Sequence, residues 1–134
     1  DFKEFIIVDT INQLQNKSKN SSEFFVAIVN SKLVSWYAYR FIFGKAIRTM
    51  QFDNPVTDRI PIHLPSSQQE KRIVDLVNQM LSLQQKYHSK GLSGNEKERL
   101  EHQIKNVDYE IDEEIYKLYN LTAGEIKIIE ESLR

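Results

Sequence analysis

Chemistry in this chain could start from three histidines, a run of carboxylates, or one nuclease-like pattern. His63, His88 and His102 lie 25 and 14 residues apart, and none has a second ligand at i+3 or i+4. Zinc sites on helices need that closer spacing, so each imidazole reads as solvated. Asp112-Glu113-Glu114 places three acids in a row. Consecutive helical side chains point in different directions, so the run reads as a solvated acidic face rather than a metal cluster. Asp112 followed by Glu125-x-Lys127 has the literal form of the acid and Glu-x-Lys pattern of metal-dependent nucleases. That chemistry needs its carboxylates and lysine on a rigid sheet, whereas these positions read as helix. The chain has no cysteine, which excludes thiolate zinc sites, a cysteine nucleophile and a disulfide scaffold. No serine sits in a nucleophile elbow, and the 4 glycines have no phosphate-loop spacing. The chain by itself reads as non-catalytic.

Binding chemistry is better represented. Across 134 residues, 18 Lys and Arg nearly balance 19 Asp and Glu, but the charges are segregated. Residues 1–65 carry 8 basic and 6 acidic side chains, and residues 66–134 carry 10 and 13. From Phe24 to Phe52 there is no acid, while Lys32, Arg40, Lys45 and Arg48 supply four positive charges among aromatics. Such a stretch suits a polyanion: Lys and Arg neutralise phosphates, and Gln, Asn and Tyr reach base edges or stack. Arg40, Lys45, Arg48, Gln51 and Arg59 are the candidate DNA-binding residues. Lys45 suits a phosphate, and Arg48 and Gln51 suit guanine or adenine edges in the major groove.

The elements that must carry these residues divide near Pro65. In residues 1–65, Phe5-Ile6-Ile7-Val8 has the β-branched content of a buried strand, continued by or paired with Ile11 to Leu14. A polar loop follows at 16–22. Phe24, Phe25, Ile28, Leu33, Trp36, Tyr37 and Phe41 then recur at helical spacing, interrupted at Asn30-Ser31 and ended by Gly44. Ala46 to Phe52 and Arg59 to Pro65 alternate like strands, the second with prolines that confine it to an edge. A first strand this close to the start of the chain suggests a piece of something longer. In residues 66–134, Ile73, Leu76, Met80, Leu83 and Tyr87 step by 3, 4, 3 and 4. After a Lys90-Gly91-Leu92-Ser93-Gly94 turn, Leu100, Ile104, Val107, Ile111, Ile115 and Leu118 repeat the pattern. Two such helices make an antiparallel hairpin, and Thr122 opens a short last helix. The expected fold class is α+β: a small mixed α/β fragment, a long antiparallel helical hairpin, and a short C-terminal helix. The absence of a transmembrane run, a secretion signal and cysteines points to a cytoplasmic protein with no membrane partner.

Several phrases in order resemble one family. FFVAIVNSKLVSWYAYRF is similar to the "yllaiLNSkL…wy" helix of DNA target-recognition domains, and GKAIRTMQF stands where their basic loop and strand stand. IPIHLP resembles their "iPIplP", QQEKRIVDLVNQML their "QqrIvdlVdqML", and IDEEIYKLYNLTAGEIKIIEESL their closing "iDeiVYeLYgLteeEi.iie". Together the phrases span residues 24–133. The family is the TaqI-like C-terminal specificity domain of N6-adenine DNA methyltransferases and fused restriction–modification enzymes, related to the specificity subunits of type I systems. The resemblance implies a target-recognition fragment at 1–65 and a helical hairpin with terminal helix at 66–134. It implies double-stranded DNA as a partner. It also implies a methyltransferase catalytic domain of the same protein that binds S-adenosylmethionine and flips out the adenine. That domain carries an Asn/Asp-Pro-Pro-Tyr/Phe motif; here the one Asn-Pro, Asn54-Pro55, continues with Val56-Thr57. No catalytic residue and no cofactor is therefore expected in this chain. The hairpin is expected to brace the recognition unit against the catalytic core or against a second copy as a homodimer. The alternative is an assembly module of a type I-like specificity subunit.

Overall fold

Among the described residues, five helices begin on a serine or threonine oxygen. The computed structural model describes residues 15–44 and 54–133. Helix α1 (Ser22–Asn30) opens on Ser21, whose side chain accepts from the Phe24 N–H. Ser31 ends α1 and starts α2 (Lys32–Tyr37), accepting from the Val34 N–H while its hydroxyl donates to the Ile28 carbonyl at 2.7 Å. A short-side-chain break thus converts one apolar stretch into two helices. The chain next widens into a π-helical turn, Ala38–Ile42, where the Phe43 N–H reaches back five residues to the Ala38 carbonyl at 2.9 Å. Gly44, at φ +57°, ends it in a conformation that glycine adopts without a Cβ penalty. Helix α3 (Asn54–Thr57) is a single turn with Pro55 in its first positions.

Helices α4 (Ser67–Tyr87), α5 (Gly94–Leu118) and α6 (Ala123–Ser132) each begin with a reciprocal capping box: Ser66 with Gln69, Ser93 with Glu96, Thr122 with Glu125. At 1.5 Å per residue, α4 and α5 are about 32 and 38 Å long. They run antiparallel: Arg72 pairs with Glu110 at 2.9 Å near one end, and the Tyr87 hydroxyl donates to Glu101 at 2.7 Å near the other. Their shared seam buries Ile73, Leu76, Val77, Leu83, Leu100, Val107, Ile111, Ile115 and Leu118. The same core takes in Phe24, Ala27 and Ile28 of α1, Leu33 and Val34 of α2, Ile60, and Ile129 of α6. The helices of the first half therefore lie on the hairpin, α1 along α4, and α2 near α5 and α6. No helix among the described residues is long and apolar enough to cross a membrane.

The expected α+β class does not hold. The described residues form helices, turns and irregular segments, with no strand and no sheet. The expected strands at 5–8, 11–14 and 46–52 lie outside the described residues. The Arg59–Pro65 edge strand is replaced by a turn and an irregular segment. Pro61 and Pro65 have no N–H to donate, so a ladder there would be incomplete. A tyrosine takes its place: the Tyr119 hydroxyl donates to the Pro61 carbonyl at 2.7 Å and accepts from the His63 N–H at 3.3 Å. Ile60 is buried, but Ile62 and Leu64 are exposed, so the alternation that suggested a strand lines no core.

The capping boxes give a pH prediction. Hydrogen bonds from Ser93 and Thr122 hold the Glu96 and Glu125 carboxyls below their ordinary range. A lowered folded-state pKa contributes stability above the unfolded value and loses it as pH falls through the folded one. Helical circular dichroism at a fixed, partly denaturing temperature should therefore drop on acidification through the carboxylate range. Glu96→Gln with Glu125→Gln, which preserves the box geometry, should flatten that drop. An unchanged acid limb in the double variant would show that other carboxyls cause it.

Candidate nucleic-acid interface

The side chains of the π-helical turn stand at the far end of α2 from Ser31. Tyr39 is 39% and Phe41 55% exposed. Arg40 is exposed too, and its guanidinium carbon lies 5.9 Å from the centre of the Trp36 ring, within cation–π range. Phe41 packs one edge on Trp36 (centroids 5.4 Å apart, planes at 74°) and leans on Tyr37 at 5.3 Å. Trp36 Nε1 is buried with no hydrogen-bond partner among the described residues.

Arg59 arrives from a different part of the chain. A turn after α3, closed by Arg59 N–H to Val56 and Ile60 N–H to Thr57, anchors buried Ile60 and leaves Arg59 exposed. Its Nη2 donates to the Phe41 carbonyl at 3.3 Å. That carbonyl belongs to the helix end, where oxygens lack intrahelical donors and the dipole is negative. Arg59 thus gives this helix-end carbonyl a donor and offsets the local negative charge. Of the five candidates, the structure brings Arg40 and Arg59 to one exposed turn. Lys45, Arg48 and Gln51 lie outside the described residues. Among the described residues, no carboxylate forms an ion pair with Arg40 or Arg59.

Lys32 is different. It belongs to the acid-free stretch in sequence, yet its ammonium sits 3.3 Å from Asp112 and 3.1 Å from Glu130. Asp112 is only 3% exposed, and its Oδ1 also accepts from the Lys32 backbone N–H at 2.9 Å, the first orphan donor of α2. Tyr116, fully buried, donates its hydroxyl to Glu130 at 3.0 Å, and burial together with that carboxylate pushes its phenol well above the usual range. Burial pushes the Asp112 carboxyl upward against the pull of Lys32. Lys32 is raised because Glu130 and Asp112 together outweigh its own partial burial. This joint ties the start of α2 to α5 and α6 and so fixes the direction in which α2 carries Arg40 and Phe41. It corrects the reading of Asp112 as solvated. The overlooked signal is that Asp112 and Tyr116 are four apart, on a second stripe beside the seam.

The remaining candidates separate. Glu125 is held in the α6 capping box, Asp112 in the joint, and Lys127 lies 3.9 Å from Glu131 on an exposed face, so the nuclease-like pattern is not assembled. His63 faces the Tyr119 ring and His88 the Tyr87 ring, each as a single imidazole. Among the described residues no three His, Asp or Glu side chains are grouped to hold a metal ion. No protein-family model, no curated protein and no solved structure matches the chain.

Proposed function

We propose that this chain is a DNA target-recognition module, the C-terminal portion of an adenine-N6 DNA methyltransferase of a restriction–modification system. In that reading it positions duplex DNA for a catalytic domain elsewhere in the same protein, which supplies the S-adenosylmethionine chemistry. The observation that carries the reading is the exposed turn at which two arginines from separate segments come together, Arg40 over the Trp36 ring and Arg59 on the Phe41 carbonyl. The ordered phrases of the resemblance support it, because they meet in space: Lys32 on Asp112, and Pro61 and His63 on Tyr119. The hairpin's outer faces carry Glu96, Glu98, Glu101 and Glu110, all exposed. Those charges repel phosphate, so its task is to hold the recognition turn and to dock on protein.

Fluorescence-anisotropy titration of the full-length protein against duplex DNA at several salt concentrations tests this. Arg40→Ala with Arg59→Ala should weaken binding on all sequences and reduce the slope of log affinity against log salt by about 2, one for each phosphate no longer neutralised. Unchanged affinity and slope would remove this turn from the interface. The second reading, an assembly module, is favoured by one observation: Leu81 and Tyr109 stand 55% and 56% exposed on the hairpin. Loss of self-association on Leu81→Glu, with DNA affinity never detectable, would select it.

A further inference from the structure

Phe41 is a large apolar ring that stays open to solvent at the end of the helical stretch. The ring is in contact with Trp36 and Tyr37, and 55% of the residue still meets solvent. Both neighbouring cations are guanidinium groups from independent segments, one on the adjacent residue and one hydrogen-bonded to the Phe41 carbonyl. Asp58, the acid beside Arg59, instead lines a concavity of about 450 Å³ against α1, with Val26, Val29 and Ile60. The ring is carried on a π-helical turn, a distortion that is frequent at functional sites. An exposed aromatic ring with one guanidinium on the next residue and another at its own carbonyl has the chemistry for the two ends of one nucleotide: the base stacks on the ring, and its phosphates meet the guanidinia.

We infer that Phe41, flanked by Arg40 and Arg59, is a stacking platform for an unpaired or unstacked nucleobase. This rests on the DNA reading and goes further, because a fully paired duplex offers no free base face. A protein with such a platform binds a duplex carrying a single unpaired nucleotide more tightly than the same duplex fully paired.

The experiment compares those two duplexes, one with a one-nucleotide bulge, in anisotropy titrations of the full-length protein. The wild type should favour the bulged duplex by about tenfold or more, in line with the general effect of removing one base–aromatic stack. Phe41→Leu keeps an apolar contact with Trp36 and should abolish the preference, whereas Phe41→Tyr should retain it. Circular dichroism of both variants verifies the helical fold. Equal affinity of the wild type for the two duplexes, or a preference that survives Phe41→Leu, overturns the platform and leaves the DNA reading standing. If neither duplex binds, the DNA reading itself fails, and the platform with it.

Discussion

Asp112→Ala is expected to destabilise the protein by about 2–3 kcal/mol, at or just below the roughly 3–5 kcal/mol for breaking a fully buried ion pair. The low end applies because the Lys32 side chain is 35% exposed and keeps Glu130 at 3.1 Å. The larger part of the loss is the Lys32 backbone N–H, left without its acceptor at the start of α2. An unmet buried donor costs about 1–3 kcal/mol. Asp112→Asn keeps an oxygen facing that N–H and relieves the burial of charge, so it should cost about 1 kcal/mol or less. Chemical denaturation of the three proteins separates the two contributions. Equal losses for Ala and Asn would mean that the charge, rather than the acceptor, holds the joint.

The pH sign for Asp112 is opposite to that of the capping glutamates. Burial raises its folded-state pKa, so the folded protein takes up this proton more readily than the unfolded chain. Its contribution is favourable below the unfolded value and fades as pH rises through the folded one. Replacing it with Asn removes this acid-side contribution, so Asp112→Asn should lose stability more steeply than the wild type on acidification. On the proposed DNA-recognition reading, the joint orients α2, and Asp112→Ala should also weaken DNA binding at temperatures where the fold persists.

Phe24→Ala should have the largest effect of all, about 3–5 kcal/mol. Its side chain is fully buried, in edge contact with Phe25 at 5.3 Å, and belongs to a core that continues into both hairpin helices. The packed apolar side chains around it relax only in part, so a cavity remains. The informative feature is the shape of the melt. Because α1 and the hairpin share one core, thermal unfolding followed by helical circular dichroism should remain a single transition displaced to lower temperature. A biphasic melt in which most helical signal survives the first step would show that α1 and α2 detach from an independently stable hairpin.

Periodic and capping information was readable along the chain because both are local. The 3-and-4 spacing of Ile73 to Tyr87 and Leu100 to Leu118 specifies an apolar stripe, and Thr122 marks where the last helix starts. The Asn30-Ser31 interruption was equally visible, since a serine oxygen competes for nearby backbone groups. The Arg59–Pro65 strand was misread because alternation reports a periodicity and not a partner. A strand requires a neighbour to accept its ladder, and here the Tyr119 hydroxyl, 56 residues beyond His63, serves those groups instead. Asp112 was misread because a carboxylate between other acids looks solvated until a distant ammonium and a helix start are brought to it. Lys32, 80 residues away, supplies both.

The amino-acid order alone determined the helical hairpin, its turn, the helix starts and the acid-free basic stretch, all set by interactions within a few residues. Tertiary structure decided which charges face outward. It withdrew Lys32 into a joint and joined Arg59 to the Phe41 carbonyl beside Arg40, because a buried charge or an orphan backbone group must find its partner wherever the fold places one.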